Sequence, residues 1–478
     1  MTTDAVTAKL IAAQDAIDAA DSKLAESHVL ISDALELLSG EASGGDVIDV
    51  HPGDDLKAMI ADAPDGATLR IDPAFVTDLG TFTLGKTLKL VSGAELAPGR
   101  VTPALVGPRL LKASVNVTAS ACELRGLYLE GQGQTILTAG EGMTVDRCVL
   151  VGAPNQQQQR GIAANAADIT ITGCHIGSIY KDVDTQAVCC WNKTKHLQIR
   201  DCFLEAAGEN FMTGGADPSS EADIPTDIVI EDCTISKPLA WMELPGCTVK
   251  NLLELKNVIG FTLRRCLLEY SWAHGQAGYA IVLAVRNQSG TAPYSTIRDV
   301  VIEDCTIRHV GGGLSILGRD DRADYPSQVM TNVQFRRNTI EDLSKSWARG
   351  SALAAGRAYN ISGGPADLVI EDCNTNLLPG SQNAAIGFDQ VQHQCARLAF
   401  RRCELYEGAY GITGTADGGI GEPQLAGHAP GYVWEDVTMQ RGTSGRKIVY
   451  PPDTTVLPPV GADEDDGDPE GRDRAATR

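Results

Sequence analysis

The octapeptide IVIEDCTI at residues 228–235 carries the pattern that decides the fold: an apolar alternation, two charged residues, a cysteine and a second alternation. Further copies are MTVDRCVL (143–150), ITITGCHI (169–176), LQIRDCFL (197–204), FTLRRCLL (261–268), VVIEDCTI (300–307), VQFRRNTI (333–340), LVIEDCNT (368–375) and LAFRRCEL (398–405). Successive cysteine positions, with Asn338 in place of one cysteine, are 26 to 39 residues apart. Self-similarity of this kind indicates a solenoid.

An alternation of period two is typical of β-strands, and the charged pair before each cysteine interrupts it. We interpret that pair as a corner, which points both charges outward and returns the cysteine to the interior. Stacked coils then place the cysteines in one internal, structural column. A leucine-rich repeat would need a tighter spacing of about 20–29 residues and recurring leucines. The pattern therefore favours an all-β fold, a right-handed parallel β-helix.

A second strand is predicted about midway between successive motifs. The candidate segments are GIAAN (161–165), VCCWN (188–192), NFMTG (210–214), LELKN (253–257), LAVRN (283–287), LSILG (314–318), LAAGR (353–357) and AIGFD (385–389). Several of them end in Asn, which hydrogen-bonds locally at corners, so we interpret the asparagines as structural.

Residues 1–40 form a predicted coiled-coil helix that drives oligomerisation. Large aliphatic residues recur every seven positions, and a second column of mostly small residues precedes each by four. The large residues are Leu10, Ile17, Leu24, Ile31 and Leu38. This pattern over residues 6–38 predicts a homo-oligomer and leaves a dimer and a trimer open. An amphipathic helix packed on its own solenoid is the alternative.

Residues 41–75 are predicted to be a linker and the N-terminal cap of the solenoid. Asp54 is the predicted N-cap of a short helix whose apolar face holds Leu56, Met59, Ile60 and Ala63, followed by a strand at Thr68–Ile71. Such a helix would cover the open end of the stacked sheets.

The solenoid is expected to span residues 76–440, and a Pro-rich acidic tail residues 441–478. The tail carries seven acids among residues 463–473. It cannot bury enough apolar surface to fold by itself, so an extended segment is predicted.

The chain of 478 residues has a formal net charge of −22, which argues against nucleic-acid and anionic-membrane partners. No apolar stretch reaches the length of a membrane span, and the first residues lack the apolar run of a signal peptide. The 13 cysteines show no C-x-x-C spacing, so we expect reduced thiols, no metal site and no cofactor.

The segments PGDDLKAMI and PDGATLRI (52–71) and the VIEDCTI coils resemble the pectate-lyase-like superfamily of right-handed β-helices over about residues 47–440. With an oligomerisation segment and no export signal, the chain looks most like a bacteriophage tailspike or virion fibre. That resemblance implies a location in the virion, and as partners other virion proteins and host-surface polysaccharide. It implies a homotrimer that binds, and often cleaves, that polysaccharide.

The catalytic motifs of the superfamily's enzymes are absent: neither N-T-D nor G-H-G occurs, and Ala273-His274-Gly275 is the nearest fragment. Candidate catalytic residues therefore come from neighbouring coils. In LELKN, Glu254 and Lys256 would face outward, and adjacent coils would add Glu209, Arg286 and Asp320.

Glycosidic cleavage needs two carboxyl groups about 5–9.5 Å apart, a separation that adjacent coils can supply. Glu209 with Glu254 is the first candidate pair, and Glu254 with Asp320 the second. The alternative interpretation is a ladder of compensating charges on a solvated face.

Aromatic residues in the loops that follow the cysteine motif are candidates for glycan binding, because flat rings stack on sugar faces. The candidates are Trp241, Trp272, Trp347, Tyr279 and the neighbouring His274. The same rings equally suit subunit interfaces or local packing.

Three functions follow from these patterns. The first is an oligomeric virion spike or tail fibre that recognises host-surface polysaccharide. The second is a polysaccharide lyase or glycoside hydrolase that uses the outward carboxylates. The third is a non-catalytic structural decoration protein of the virion, in which the β-helix is a rigid spacer.

Deletion of residues 1–40 tests the oligomerisation helix. We expect the full chain to be oligomeric and the deletion variant to be monomeric by static light scattering, since the heptad stripe is removed. A monomer in both cases would contradict the spike hypothesis.

Overall fold

A computed structural model of the chain describes residues 45–320, 322, 324–375 and 381–459. The predicted coiled coil at residues 6–38 and the acidic run after residue 459 lie outside the described residues.

The right-handed parallel β-helix predicted from the repeats is confirmed, since each coil adds one strand to each of three parallel sheets. Sheet I comprises β1 (Val47–Val50), β2 (Thr68–Ile71), β5 (Lys89–Ser92), β8 (Glu123–Arg125), β11 (Thr144–Asp146), β14 (Thr170–Thr172), β17 (Lys195–Arg200), β20 (Thr226–Glu231), β23 (Val258–Arg264), β26 (Ile297–Glu303), β29 (Thr331–Arg336), β32 (Ala366–Glu371), β34 (Ala399–Arg401) and β37 (Val433–Glu435). Sheet II comprises β3 (Val76–Asp78), β6 (Arg109–Leu111), β9 (Tyr128–Gly131), β12 (Val149–Gly152), β15 (His175–Ile179), β18 (Phe203–Ala206), β21 (Thr234–Ser236), β24 (Leu267–Ser271), β27 (Thr306–Val310) and β30 (Thr339–Leu343). Sheet III comprises β4 (Thr81–Leu84), β7 (Ser114–Val117), β10 (Gly133–Thr138), β13 (Gln158–Ala163), β16 (Gln186–Cys190), β19 (Glu209–Thr213), β22 (Leu253–Leu255), β25 (Tyr279–Ala284), β28 (Gly312–Leu317), β31 (Arg357–Ser362), β33 (Ala384–Phe388) and β36 (Ile412–Thr413).

The corner before each cysteine is a single residue in the left-handed conformation, between the sheet I and sheet II strands of a coil. All nine motif copies have it: Arg147, Gly173, Asp201, Asp232, Arg265, Asp304, Arg337, Asp372 and Arg402. Because this residue turns the chain, the next side chain points into the core, and the eight cysteines and Asn338 that follow these corners are all buried. All 13 cysteines of the chain are free. The predicted internal cysteine column is confirmed.

The column also satisfies backbone groups between coils. The amide of Cys148 donates to the Cys174 sulfur at 3.4 Å, and the amide of Cys174 does the same to Cys202 at 3.4 Å. At the one copy without cysteine, the Asn338 side chain accepts one backbone hydrogen bond and donates another. Its Oδ1 accepts from the Cys305 amide at 2.9 Å, and its Nδ2 donates to the Ile302 carbonyl at 2.8 Å.

Charges on the outward face of sheet I alternate from one coil to the next. The paired column is Arg200, Glu231, Arg264, Glu303, Arg336, Glu371, Arg401 and Glu435. Neighbours in it form ion pairs, such as Arg264 with Glu231 at 2.6 Å and Arg336 with Glu303 at 2.7 Å. Omission of one coil would oppose like charges, so the alternation specifies which coils are neighbours.

The second strand of each coil lies within a few residues of its predicted position in sheet III, with one exception. The prediction at LAAGR (353–357) is wrong, because the strand of that coil is β31 and the segment before it is a loop. The register between coils also differs from the sequence alignment by two residues, because Leu253 pairs with Ile281 rather than Leu283. Loop lengths, which the motif does not report, set this offset.

The N-terminal cap is a helix, α1 (Leu56–Asp62), between β1 and β2. Leu56, Ile60 and Ala63 are buried as predicted, while the N-cap is Asp55 rather than Asp54. The Asp55 side chain accepts from the amides of Lys57 and Ala58 at 3.0 and 3.1 Å. Asp54 instead accepts from the His51 amide.

The C-terminal coils contain a second helix, α2 (Glu422–His428), and three-stranded parallel pairing among β35 (Glu404–Tyr406), β38 (Thr438–Gln440) and β39 (Thr455–Leu457). The β-structure therefore runs past residue 440. Short 3₁₀ segments lie at Glu221–Asp223, Leu239–Met242 and Gln288–Gly290. In the described part of the chain, no helix is long and apolar enough to cross a membrane.

The hydrophobic core runs along the interior from Val50 to Met439. Loops of unequal length flank sheet III on both sides. Residues 237–252 and 344–356 enter it from sheet II, and residues 214–225, 285–296 and 318–330 leave it toward sheet I. The outward face of sheet III is therefore the floor between two sets of long loops, the usual place for function on a rigid scaffold.

Replacement of Asn338 by Ala tests the internal column. We expect a loss of roughly 2–4 kcal/mol in the free energy of unfolding, because two buried backbone groups lose their partners. Chemical denaturation followed by tryptophan fluorescence measures it.

Asn338→Cys, which restores the column, should lose less than Asn338→Ala. The matched control is Asn116→Ala, at an exposed position of β7. Equal losses for Asn338→Ala and Asn116→Ala would contradict the structural role of the column.

Candidate functional site

Two carboxylates meet on the outward face of sheet III. Leu253 and Leu255 of β22 point into the core, so Glu254 between them points outward, as predicted. Glu209 begins β19, the neighbouring strand, in which Met212 pairs with Glu254. Both carboxylates are nevertheless buried, with 0% of Glu209 and 4% of Glu254 exposed, because loop residues cover them.

Amides and lysines hold this carboxylate pair. Gln186 Nε2 donates to Glu209 Oε2 at 2.8 Å, and Asn251 Nδ2 donates to Glu254 Oε2 at 3.0 Å. Lys250 Nζ lies 3.5 Å from Glu209 Oε1, and Lys256 Nζ lies 3.5 Å from Glu254 Oε1. Lys250 also forms an ion pair with Asp184 in the loop before β16. We call these seven residues the carboxylate cluster.

Burial is the main cause that raises the pKa of the Glu254 carboxyl to about 7; the charge of Glu209 and a hydrogen bond to it act in the same direction, and Lys256 opposes them. Buried Glu209 Oε1 has no other hydrogen-bond donor among the described residues. A proton on Glu254 supplies that donor. The Glu254 carboxyl therefore keeps its proton up to about pH 7, and raised pKa values of this kind are frequent at functional sites.

A buried lysine supports the cluster from below. Lys237 donates to the carbonyls of Ala206, Ala207 and Gly208 at 2.6, 3.0 and 2.9 Å, and to Asn210 Oδ1 at 2.7 Å. Burial lowers its pKa to about 7, although the charge of Glu209 opposes this. Because these bonds secure the corner that leads into β19, Lys237 orients Glu209 rather than contacting a ligand.

The outward column of sheet III continues from the cluster into a shallow depression. Glu254 pairs with Val282, and Val282 with Ser315 on the next strand. The depression has a volume of about 260 Å³. Its walls include Val282, Ala284, Arg286, Ser315, Ser362, Asp389 and Gln390. Glu254 of the carboxylate cluster thus lies one strand away from the wall of the depression.

The structure brings the first predicted carboxylate pair together and separates the second. Asp320 lies five residues beyond Ser315, which is itself two strands from Glu254. That is roughly 10 Å across the sheet and about 16 Å along it, too far for a catalytic pair. Asp320 instead accepts from the Asn287 amide at 2.8 Å and lies 3.7 Å from Arg286.

Arg286 does not lie beside Lys256, which corrects the predicted placement. Leu255 pairs with Leu283, so Lys256 follows the register of Ala284, two residues before Arg286. The difference arises from the two-residue offset between coils. Arg286 belongs to the depression and not to the carboxylate cluster.

Two of the predicted glycan-binding tryptophans are core residues. Trp272 is 0% exposed and Trp241 6% exposed, in a satellite cluster with Cys247 and Val249. Neither ring offers a face to a ligand, so the prediction for both is wrong. Their cluster anchors the loop at residues 237–252, which carries Lys250 and Asn251 to the carboxylates.

The other predicted binding residues lie apart from one another. Trp347 is half-buried on the sheet II side, where its Nε1 donates to Asp342 at 3.2 Å. His274 Nδ1 accepts from the Val249 amide at 3.1 Å, and burial lowers the pKa of its ring. Tyr279 begins β25, is 9% exposed, and its hydroxyl interacts with Arg357.

Sequence reasoning missed Lys250, Asn251, Gln186 and Asp184. Asn251 and Lys250 directly precede the LLEL segment, so a polar pair at a strand entrance was the available signal. No local sequence pattern predicts the positions of Asp184 and Gln186 near Glu209, because this proximity arises only when the coils stack. Among the described residues, no group of His, Cys, Asp and Glu could hold a metal ion.

Comparison with known proteins shows the fold and no activity. No family model and no curated protein matches the chain. The catalytic unit of the thermostable GH87 α-1,3-glucanase from Streptomyces thermodiastaticus strain HF3-3 is similar, with a TM-score of 0.52 at 12% identity over 83% of this chain and 69% of that chain. The Dettilon tailspike protein gives a TM-score of 0.46 at 10% identity over 84% and 68% of the two chains. Pectate lyase Pel9A gives a TM-score of 0.42 at 12% identity over 66% of this chain and 84% of that chain.

The pH dependence of stability tests the proton held by Glu254. Since the pKa of Glu254 is raised, the folded protein holds a proton that the unfolded chain has lost above about pH 4.5. The stabilisation is fully present below that pH and is lost as the pH rises through about 7. We expect wild type to lose up to about 3 kcal/mol relative to Glu254→Gln between these limits.

Denaturation of both proteins across this pH range measures the difference. Glu141→Gln, at an exposed carboxylate, is the matched control and should track wild type. Parallel curves for wild type and Glu254→Gln would rule out a proton held by Glu254.

Proposed function

We propose that the chain is an oligomeric virion spike that recognises host-surface polysaccharide, and that the outward face of sheet III is its glycan-binding surface. The observation that carries this proposal is the continuous column from Glu254 through Val282 to Ser315, which joins the carboxylate cluster to the depression. A polysaccharide is an extended ligand with many hydroxyl groups, and a long floor of donors and acceptors between two loop sets suits it.

The contrast with sheet I supports this choice of face. Charged residues on sheet I form ion pairs with one another, because acidic and basic residues alternate in register along the column. On sheet III the corresponding positions are Glu, Val and Ser, so the outward surface mixes a charge, an apolar group and a small hydroxyl. Sugars present the same mixture of apolar faces and hydroxyl edges.

A second function, polysaccharide cleavage, is favoured by the raised pKa of Glu254. A carboxyl group with a pKa of about 7 retains its proton near neutral pH and can protonate a leaving glycosidic oxygen. Glu209 is the carboxylate beside it, but a direct hydrogen bond places the two groups closer than either glycosidase geometry. Cleavage therefore requires a sugar that enters between them and separates them.

Replacement of Ser315 by Trp tests the binding surface. The ring would fill the depression, so we expect at least a tenfold loss of affinity for a polysaccharide that binds the wild type. Biolayer interferometry against biotinylated capsular polysaccharides and lipopolysaccharide O-chains measures binding. Gln334→Trp, at an outward position of sheet I, is the matched control and should bind normally. Equal effects of the two variants would contradict a site on sheet III.

The chain length of the bound polysaccharide, measured by size-exclusion chromatography after incubation, separates recognition from cleavage. Shortening by wild type that is lost in Glu254→Gln, with binding retained, would support Glu254 as the general acid. An unchanged length across pH 5–8 would leave recognition alone and reject the enzyme.

A further inference from the structure

Sheet II carries a notch where one coil presents only small outward side chains. On β21 these are Thr234 and Ser236, because Ile235 between them lies in the core. The preceding and following coils place four larger side chains at the same two register positions: Phe203, Glu205, Leu267 and Glu269. Two small residues between four larger ones leave a gap across the sheet. We call the six outward residues the sheet II notch.

The spacing of the strands sets the width of the notch. Its walls belong to β18 and β24, which lie two strand spacings apart, or about 9.6 Å. The wall atoms occupy one carbon–carbon contact distance of about 3.5–4 Å, so roughly 6 Å remains between their surfaces. The notch therefore accepts one saturated six-membered ring and not two stacked rings.

One wall of the notch is the flat face of an aromatic ring. Phe203 stacks on His175 of the preceding coil, with ring centroids 4.7 Å apart and an angle of 9° between the planes. This separation equals the strand spacing, so the two rings stack along the solenoid axis. The opposite face of the Phe203 ring therefore points toward Thr234 on the next strand. Phe203 is half-buried, so this face is open to a ligand.

The other end of the notch is lined by hydrogen-bond acceptors. Glu269 accepts from the Ser236 hydroxyl at 3.4 Å and forms an ion pair with Arg308 at 2.8 Å. Glu205 Oε1 accepts from the Ser178 amide at 2.7 Å, and Glu205 Oε2 has no hydrogen-bond donor among the described residues. Burial raises the pKa of the Glu205 carboxyl, although this amide opposes the shift. A ligand at this end has to donate hydrogen bonds and to lack a negative charge.

The covered part of sheet II ends at the notch. Residues 93–108 lie over the first coils, where their apolar side chains pack against outward residues of β9 and β12. The last contact of this loop along the sheet is Arg100, which donates to the Cys202 carbonyl at 3.0 Å, directly before Phe203. The six notch residues follow, and all of them except Ser236 are partly exposed. A ligand can therefore reach the notch from solvent.

We propose that the sheet II notch binds one uncharged pyranose unit of a polysaccharide, stacked on Phe203 and hydrogen-bonded to Glu205 and Glu269. A pyranose has an apolar C–H face and a rim of hydroxyl groups, so it matches an aromatic wall beside two acceptors. The two carboxylates repel a uronate, which selects uncharged units. The ligand class rests on the proposed function, whereas the location is separate from sheet III.

Saturation-transfer difference NMR with simple glycosides tests the site. The probes are the methyl glycosides of glucose, galactose, mannose and rhamnose, with the methyl glycoside of glucuronic acid as the charged comparison. We expect wild type to bind at least one uncharged glycoside, and to bind the glucuronide at least about tenfold more weakly because like charges meet in the notch. Absence of binding by all four uncharged glycosides would overturn the proposal, and so would glucuronide binding of equal or greater strength.

Filling the notch separates this site from sheet III. Thr234→Trp places a ring where the sugar would lie, so the NMR signal should be lost, whereas Ser315→Trp on sheet III and Gln334→Trp on sheet I should retain it. Loss in Ser315→Trp with retention in Thr234→Trp would assign the sugar to sheet III and overturn the notch. Equal signals in Thr234→Trp and Gln334→Trp would also overturn it. Failure of the sheet III proposal has a different result, namely unchanged polysaccharide binding in Ser315→Trp.

Two variants of Phe203 test the stacked wall. Phe203→Leu keeps the wall apolar but removes its flat face, so we expect the affinity for the bound glycoside to fall about two- to tenfold. Phe203→Trp retains a flat face and should bind as tightly as wild type. Circular dichroism checks that both variants are folded. Equal affinities of the two variants would contradict stacking on this ring.

Discussion

The fold depends on one repeated backbone feature, the left-handed residue that precedes each inward cysteine or Asn338. Aspartate and glycine adopt the left-handed conformation at little cost. Each arginine in this conformation costs about 1–2 kcal/mol. The stack offsets this cost in two ways. The following side chain enters the core, and the arginine itself pairs with the aspartate of the preceding coil, as Arg265 does with Asp232 at 2.8 Å.

That corner also determines how the charges are distributed. Because both polar residues of the motif point outward, sheet I carries a closed ladder of acids and bases, each pair weak but all in register. Sheet III has no such corner motif and is flanked by the longest loops. Charged residues on this face, such as Lys250, belong to loops. They pair with buried carboxylates and not with an opposite charge on the adjacent strand.

The carboxylate cluster illustrates what a rigid stack can hold. Glu209 and Glu254 are like charges brought together in a buried place, which the fold tolerates because one proton, two amides and two lysines compensate them. Lys237 below and the Trp241–Trp272 cluster beside them keep the corner and the covering loop in place. Residues that sequence reasoning assigned to glycan contact thus stabilise the site from behind.

The sequence by itself determined the parallel β-helix, its corners, the cysteine column, the capping helix and the outward direction of Glu254, because these follow from local periodicity and from the residue before each cysteine. Only the tertiary structure decided which loops reach Glu254, that Arg286 and Asp320 lie elsewhere, and that Trp272 is buried. The physical reason is that loops of unequal length set the offset between coils. A two-residue offset moves a side chain along the strand without any change in the repeat that the sequence displays.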